Sequence, residues 1–179
     1  VFYLAAFLFS FALLSQNVQA EVLTPVTWNI SQTAVVDNEV TFTFRASIDE
    51  TWHLYSQHID MAPPATTFEF EENSGYELIG EIEESKSIEE FDKNFDMILR
   101  YFAHEAIFTV KIRLLTQDKV VVKGYVNYMS CDDTRCLPPA DEEFEFVFND
   151  NGVAAVNVAE DVSVQQESTN DLTGEGENS

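Results

Sequence analysis

The chain has 179 residues and carries 32 Asp and Glu against only 9 Lys and Arg, a formal net charge of −23. This excludes nucleic acid as a partner, because binding a polyanion rests on phosphate neutralisation by a basic face. The acidity reads first as a solvated surface, with basic partners left open.

Residues 1–20, VFYLAAFLFSFALLSQNVQA, contain no charge, and an apolar run from Val1 to Leu14 is broken only by Ser10. The segment ends on Val18-Gln19-Ala20, which fits the small-residue rule for signal-peptidase cleavage, so it reads as a secretory signal peptide. A membrane span needs ~20 apolar residues, and this run is shorter. A basic n-region and an initiator Met are absent, which implies that the natural chain begins a few residues earlier.

From Glu21 the apolar period becomes two. EVTFTFRASI sets Val40, Phe42, Phe44 and Ala46 on one side and Thr41, Thr43 and Arg45 on the other, the pattern of a half-buried strand. PVTWNIS, TWHLYSQHI, TTFEFEE, YELIGEIEE, HEAIFTVKIRLL, KVVVKGYVNYMS and DEEFEFVF continue it, separated by Asn, Asp, Gly or Pro. No helical period is sustained. Eight or nine short strands, roughly, predict an all-β, immunoglobulin-like antiparallel β-sandwich over residues 21–148. From residue 149 to 179 there is no aromatic residue and no Lys or Arg, so this acidic segment is expected to be a disordered tail or linker.

The two cysteines, Cys131 and Cys136, sit in YMSCDDTRCLPP. They are too close in sequence to join two sheets, and closing a loop of about six residues constrains the unfolded chain by only ~2 kcal/mol. At a turn between strands both sulfurs are presented at one end of the sandwich, where reactive groups on a rigid scaffold tend to sit. The residues by themselves admit either a hairpin staple or a redox pair. Zinc is not supported, since His53, His58 and His104 offer no close ligand spacing, and no metal or other cofactor is expected. C-x-x-x-x-C in an all-β chain is not the C-x-x-C of a thioredoxin.

GYVNYMSCDDTRCLPP, IDETWHLYSQHI and EEFDKNFDM together resemble the N-terminal periplasmic domain of the thiol:disulfide interchange protein DsbD, over about Val26 to Phe148. The resemblance implies an immunoglobulin-like sandwich that takes reducing equivalents from a membrane-embedded partner domain and passes them to periplasmic thioredoxin-like proteins. The implied setting is the periplasm, with a monomeric chain. Cys131 and Cys136 would be catalytic. Members of the family have five residues between the cysteines, whereas here there are four, Asp132 to Arg135. The full protein of that family also has a multi-span membrane domain and a C-terminal thioredoxin-like domain, which makes this chain read as an excised module or a free-standing relative.

By the same resemblance a cap segment covers the pair, matched here by Glu89, Glu90 and Phe91. Phe91 would shield the sulfurs and a carboxylate of Glu89 or Glu90 would move a proton; the plainer reading is an acidic surface loop. Tyr55 and His53, with Trp52, match the aromatics that line the site, while Trp28 reads as core. Asp132 and Asp133 are expected to raise the thiol pKa values, with Arg135 opposing them. Cys136 is favoured as the residue that forms the mixed disulfide, because Pro138-Pro139 fixes the backbone just after it. The competing function is a secreted immunoglobulin-like binding or assembly module with a purely structural local disulfide.

Overall fold

The computed structural model describes residues 23–149 and, as backbone, Gly152–Val156. The expected signal peptide at 1–20 and residues 157–179 of the expected tail lie outside the described residues. In chain order the strands are β1 (Val26–Gln32), β2 (Glu39–Ile48), β3 (His53–Tyr55), β4 (Thr67–Phe70), β5 (Tyr76–Glu84) and β6 (Ile88–Asp92). There follow β7 (Met97–Phe102), β8 (Glu105–Leu114), β9 (Val120–Tyr128), β10 (Ser130–Cys131), β11 (Ala140–Asn149) and β12 (Gly152–Val156). The described residues contain no helix, hence none long and apolar enough to cross a membrane.

The strands form three antiparallel sheets, ordered β1-β2-β8-β5, β12-β11-β9-β4 and β10-β3-β7-β6. Alternation explains the first two. In β2 the even-numbered residues from Val40 to Ile48 are buried, and opposite them β8 buries Ala106, Phe108, Val110 and Ile112. β9 turns in Val120, Val122 and Val126, and β11 turns in Phe144, Phe146 and Phe148. The two faces interlock through aromatic rings: Phe42 meets Phe146 at 4.9 Å, Phe44 meets Phe144 at 5.2 Å, and Phe68 meets both Phe44 and Phe108 at 5.0 Å. Each fully buried Phe or Val contributes roughly 1.5–3 kcal/mol relative to exposure, so this layer dominates stability. The fold is the predicted all-β immunoglobulin-like sandwich.

Close packing leaves one position no room for a side chain. Gly124 lies opposite Phe144 on one side and Phe70 on the other. A Cβ there would overlap the carbonyl oxygen of Glu69 and stand 2.6 Å from Phe144 Cζ.

The third sheet forms a wall with different contents on its two faces. Leu54 of β3 and Phe102 of β7 point into the large aromatic core. Their neighbours Tyr55 and Leu99 point the other way, into a small cluster with Cys131. The opposition of Leu54 and Tyr55 is the period-two geometry of a strand. TWHLYSQHI supplies a three-residue strand, and just beyond it Glu84 of β5 accepts from Ser56 Oγ at 2.7 Å and from the Gln57 amide at 3.0 Å.

Strand β6 and the turn into β7 come from the segment read as a cap or, more plainly, as an acidic surface loop. The two strands pair as a hairpin from Ile88↔Tyr101 to Asp92↔Met97. At the other end of the molecule's sequence, the expected boundary at residue 148 falls inside β11, and the backbone of β12 continues that sheet by pairing with β11.

Candidate functional site

Cys131 and Cys136 form a disulfide at the tip of a tight turn, with their Cα atoms 4.0 Å apart. The turn is closed by backbone bonds from Leu137 N to Ser130 O and from Asp132 N to Arg135 O, each 2.9 Å. Its interior is organised by the Asp132 carboxylate. Oδ1 accepts from Thr134 N and Thr134 Oγ1, both at 2.7 Å, and from Arg135 N at 2.9 Å, while Arg135 Nε donates to Oδ2 at 3.3 Å. These donors, led by the Thr134 hydroxyl, hold the Asp132 carboxyl down at about 2.

The two sulfurs are not equivalent. Cys131 is wholly buried, whereas Cys136 is only half-buried. Cys131 ends β10 and lies directly opposite His53 of β3. Facing residues in an antiparallel pair put their side chains on the same side of the sheet, with Cβ atoms about 4.5–5.5 Å apart.

Next to this pair is a buried polar triad that depends on Asp92, the last residue of β6. Asp92 Oδ2 accepts from the Tyr55 hydroxyl at 2.7 Å and lies 3.2 Å from His53 Nε2; the same His nitrogen is 3.1 Å from the Tyr55 oxygen. Asp92 Oδ1 accepts from the amides of Asn94 at 2.8 Å and Phe95 at 3.2 Å, which shapes the turn that follows. A buried carboxylate is tolerable only when its oxygens are occupied in this way. Burial pushes the Tyr55 phenol far above its usual range, an effect the Asp92 bond reinforces, so it stays a donor. Burial lowers the His53 pKa, outweighing the opposing pull of Asp92 and the more distant Asp133 and Asp132.

The turn between β6 and β7 reaches over to the disulfide loop. Asn94 Nδ2 donates to the Asp132 carbonyl and Lys93 Nζ pairs with Asp133 Oδ2, both at 2.8 Å. Phe95 packs into the small cluster edge-on to Tyr55, with centroids 5.8 Å apart. On the far side of the loop the Arg135 guanidinium lies 5.6 Å from the Trp52 ring centroid. Lys93 and Arg135 thus partner the two loop aspartates, which weakens the repulsive field that the sequence reading assigned to those aspartates.

The structure brings together Cys131, Cys136, His53 and Tyr55. Glu90 reaches the group indirectly: it accepts from the Tyr101 hydroxyl at 3.0 Å, and the Tyr101 ring lies 4.7 Å from His53. Burial, with Glu90 adding to it, pushes the Tyr101 phenol up to about 12. Glu89 faces outward in an ion pair with Arg100 at 2.9 Å. Phe91 is 55 % exposed and outside the small cluster; it lines a pocket of about 260 Å³ with His53, Asp92, Lys93, Tyr101 and Asp133. Trp28 packs against the main core, as expected. Sequence reasoning missed Asp92, Phe95 and Tyr101. Among the described residues, no three His, Cys, Asp or Glu side chains are grouped to hold a metal ion.

Over residues 19–147 the chain matches the family model described as thiol:disulfide interchange protein DsbD, N-terminal. No curated protein matches it. Among solved structures it is similar to the DsbD n-terminal domain of Neisseria meningitidis in the reduced form, at 21% identity and a TM-score of 0.47, over 70% of this chain and 88% of that one. It is also similar to a chain from the complex between the DsbD N-terminal and PilB N-terminal domains of Neisseria meningitidis, at 21% identity and a TM-score of 0.45, over 70% and 87%.

Proposed function

The chain belongs to the family of DsbD N-terminal domains, whose chemistry is thiol–disulfide interchange, and on that premise we propose that it is a periplasmic electron carrier working through Cys131 and Cys136. Residues 1–20 would direct export and be removed, the region from residue 21 through β12 would form the monomeric working domain, and the residues after β12 would serve as its linker. A membrane-embedded partner would supply the reducing equivalents, and thioredoxin-like proteins of the periplasm would receive them. The complex of a DsbD N-terminal domain with a PilB N-terminal domain is an example of a protein partner in the family.

The observation that carries this reading is the unequal burial of the two sulfurs beside the polar triad of His53, Tyr55 and Asp92. A staple for the sandwich needs neither feature. Attack on a disulfide requires access to one sulfur and a leaving group at the other. The half-buried Cys136 supplies the access, so a donor thiolate attacks its Sγ. The Cys131–Cys136 bond breaks, its electron pair leaves on Cys131 Sγ, and that sulfur takes up a proton. The donor's second thiolate then attacks its own sulfur in the mixed disulfide, releasing Cys136; the domain gains two thiols and the donor gains one disulfide. Delivery to an acceptor runs the same steps in reverse.

The arrangement is tested by the equilibrium potential of the pair in glutathione and dithiothreitol buffers. A carrier cycles with its partners above about −300 mV, whereas a structural disulfide lies below that value. A low potential would leave a binding or assembly module with a local brace. The order of attack is tested by trapping a partner with Cys131→Ala and with Cys136→Ala: only the first, which keeps Cys136, should capture it.

A further inference from the structure

When the reduced domain passes its electrons on, the sulfur that must become a thiolate last is the buried one. After Cys136 has formed a mixed disulfide with the acceptor, Cys131 has to lose its proton before it can attack Cys136 Sγ. No solvent reaches Cys131 in the described structure. The titratable side chain directly across the strand pair is His53.

The ring of His53 is held in a form suited to that task. Tyr55 spends its hydrogen on Asp92, so the short approach between His53 Nε2 and Asp92 Oδ2 is a bond that the Nε2 hydrogen donates. The other ring nitrogen, Nδ1, then carries the lone pair. Burial keeps this imidazole neutral near pH 7, ready to accept a proton. Once it does, the resulting positive charge faces the carboxylate of Asp92 at the end of β6. The other groups around it are Tyr55 on its own strand, Tyr101 on β7, and Asp132 and Asp133 in the cysteine loop, the latter tied to Lys93. Apart from the cations of the Lys93–Asp133 and Arg135–Asp132 pairs, the surroundings are acidic or phenolic, and their charges favour a transient imidazolium.

We infer that His53 is the general base that takes the Cys131 thiol proton in the resolving step, and the acid that returns it when the disulfide is reduced, with Asp92 as its positioning residue. The inference rests on the exchange reading above. The step balances: the S–H bond of Cys131 breaks and an N–H bond forms on His53. The thiolate pair then forms the Cys131–Cys136 bond, and the acceptor sulfur leaves with the electrons of the mixed disulfide. His53 afterwards releases its proton to solvent.

The test uses the reduced full chain and 4,4′-dithiodipyridine, a small disulfide whose thiopyridone product absorbs. Attack by Cys136 releases a first equivalent and resolution by Cys131 releases a second, so the two steps are read separately in stopped flow. His53→Gln keeps a donor toward Asp92 but has no titrating nitrogen. It is expected to slow the second phase by about a hundredfold near neutral pH, the usual scale of general-base catalysis, and to leave the first unchanged. The second phase of the variant should recover as alkaline pH ionises the thiol directly, while that of the natural chain should level off above the His53 titration. Equal second phases in the two proteins across the pH range would overturn the assignment, as would equal slowing of both phases. If the natural chain itself released only one equivalent, the exchange reading would fall with it.

Discussion

Tyr55 donates its hydroxyl hydrogen to Asp92 across 2.7 Å, joining β3 to the tip of the β6–β7 hairpin in the same sheet, with Tyr55 inaccessible and Asp92 4 % exposed. Tyr55→Phe deletes that donor while preserving the ring. A buried acceptor that loses a partner costs about 1–3 kcal/mol. Urea unfolding of the variant should show a lower midpoint at an unchanged slope. A midpoint equal to that of the natural chain would mean that the bond contributes nothing to stability.

Two phenylalanines compete for the role of cover. Phe95 is packed with Tyr55 and the cysteines, and Phe91 stands on the pocket wall with more than half its surface in solvent. Phe95→Ala should therefore accelerate alkylation of the reduced pair by iodoacetamide several-fold, and Phe91→Ala should change it by less than about twofold, in line with the small effects of surface substitutions. The reverse order would assign the cover to Phe91.

The Asp132 carboxyl, held down at about 2 by its hydrogen bonds against an ordinary value of 3.8, makes the disulfide turn acid-resistant. Because the folded-state pKa is the depressed one, the turn's contribution is fully present above the unfolded value and is lost as pH falls through about 2. The amide resonances of Thr134 and Arg135 should hold their positions down to about pH 3 and shift only below it. A titration of these amides centred at 3.8 or higher would contradict the bonding scheme.

Gly124→Ala places a methyl group against the Glu69 carbonyl and the Phe144 ring, at a point where two neighbouring strands close on β9. Backbone has to move, which costs more than the 1–3 kcal/mol typical of overpacking. The variant should lose at least about 3 kcal/mol or fail to accumulate as folded protein. Denaturant unfolding indistinguishable from that of the natural chain would show that β4 is not held there.

The parts of the fold that were legible in the sequence are those with one face buried and the other wet. β2 was readable residue by residue because Phe42 and Phe44 alternate with threonines, and β11 because Phe144, Phe146 and Phe148 do the same with acids or Val147. The β6–β7 hairpin had no such signal: Ile88 to Phe91 are exposed on both faces, so nothing in their order alternates with burial. Asp92 was hidden for a related reason. It is one acid among 32, two residues after Glu90, and Glu89 and Glu90 looked equally suited to handle a proton. What singles it out is the turn after it, whose Asn94 and Phe95 amides bond its Oδ1 while Tyr55 bonds its Oδ2. His53 and Tyr55 were reached through the family resemblance, and they meet in the structure because residues two apart in a strand share a face.

Leu54 and Tyr55, adjacent in sequence, divide the interior into two packed volumes of unequal size. The larger spans both sheets of the sandwich and sets the free energy of global unfolding. The smaller holds Tyr55, Leu99, Cys131 and their neighbours, and is closed at its rim by the solvent-exposed Lys93 and Asn94 bonds. Regions with few buried contacts and exposed hydrogen bonds open on their own, well below the global free energy. Amide hydrogens of β6, β7 and β10 should then exchange with deuterium sooner than those of β2, β8, β9 and β11. Two lifetimes are then expected, a long one for the sandwich and a short one for the small cluster, and a sulfur can be offered to a partner on the shorter clock.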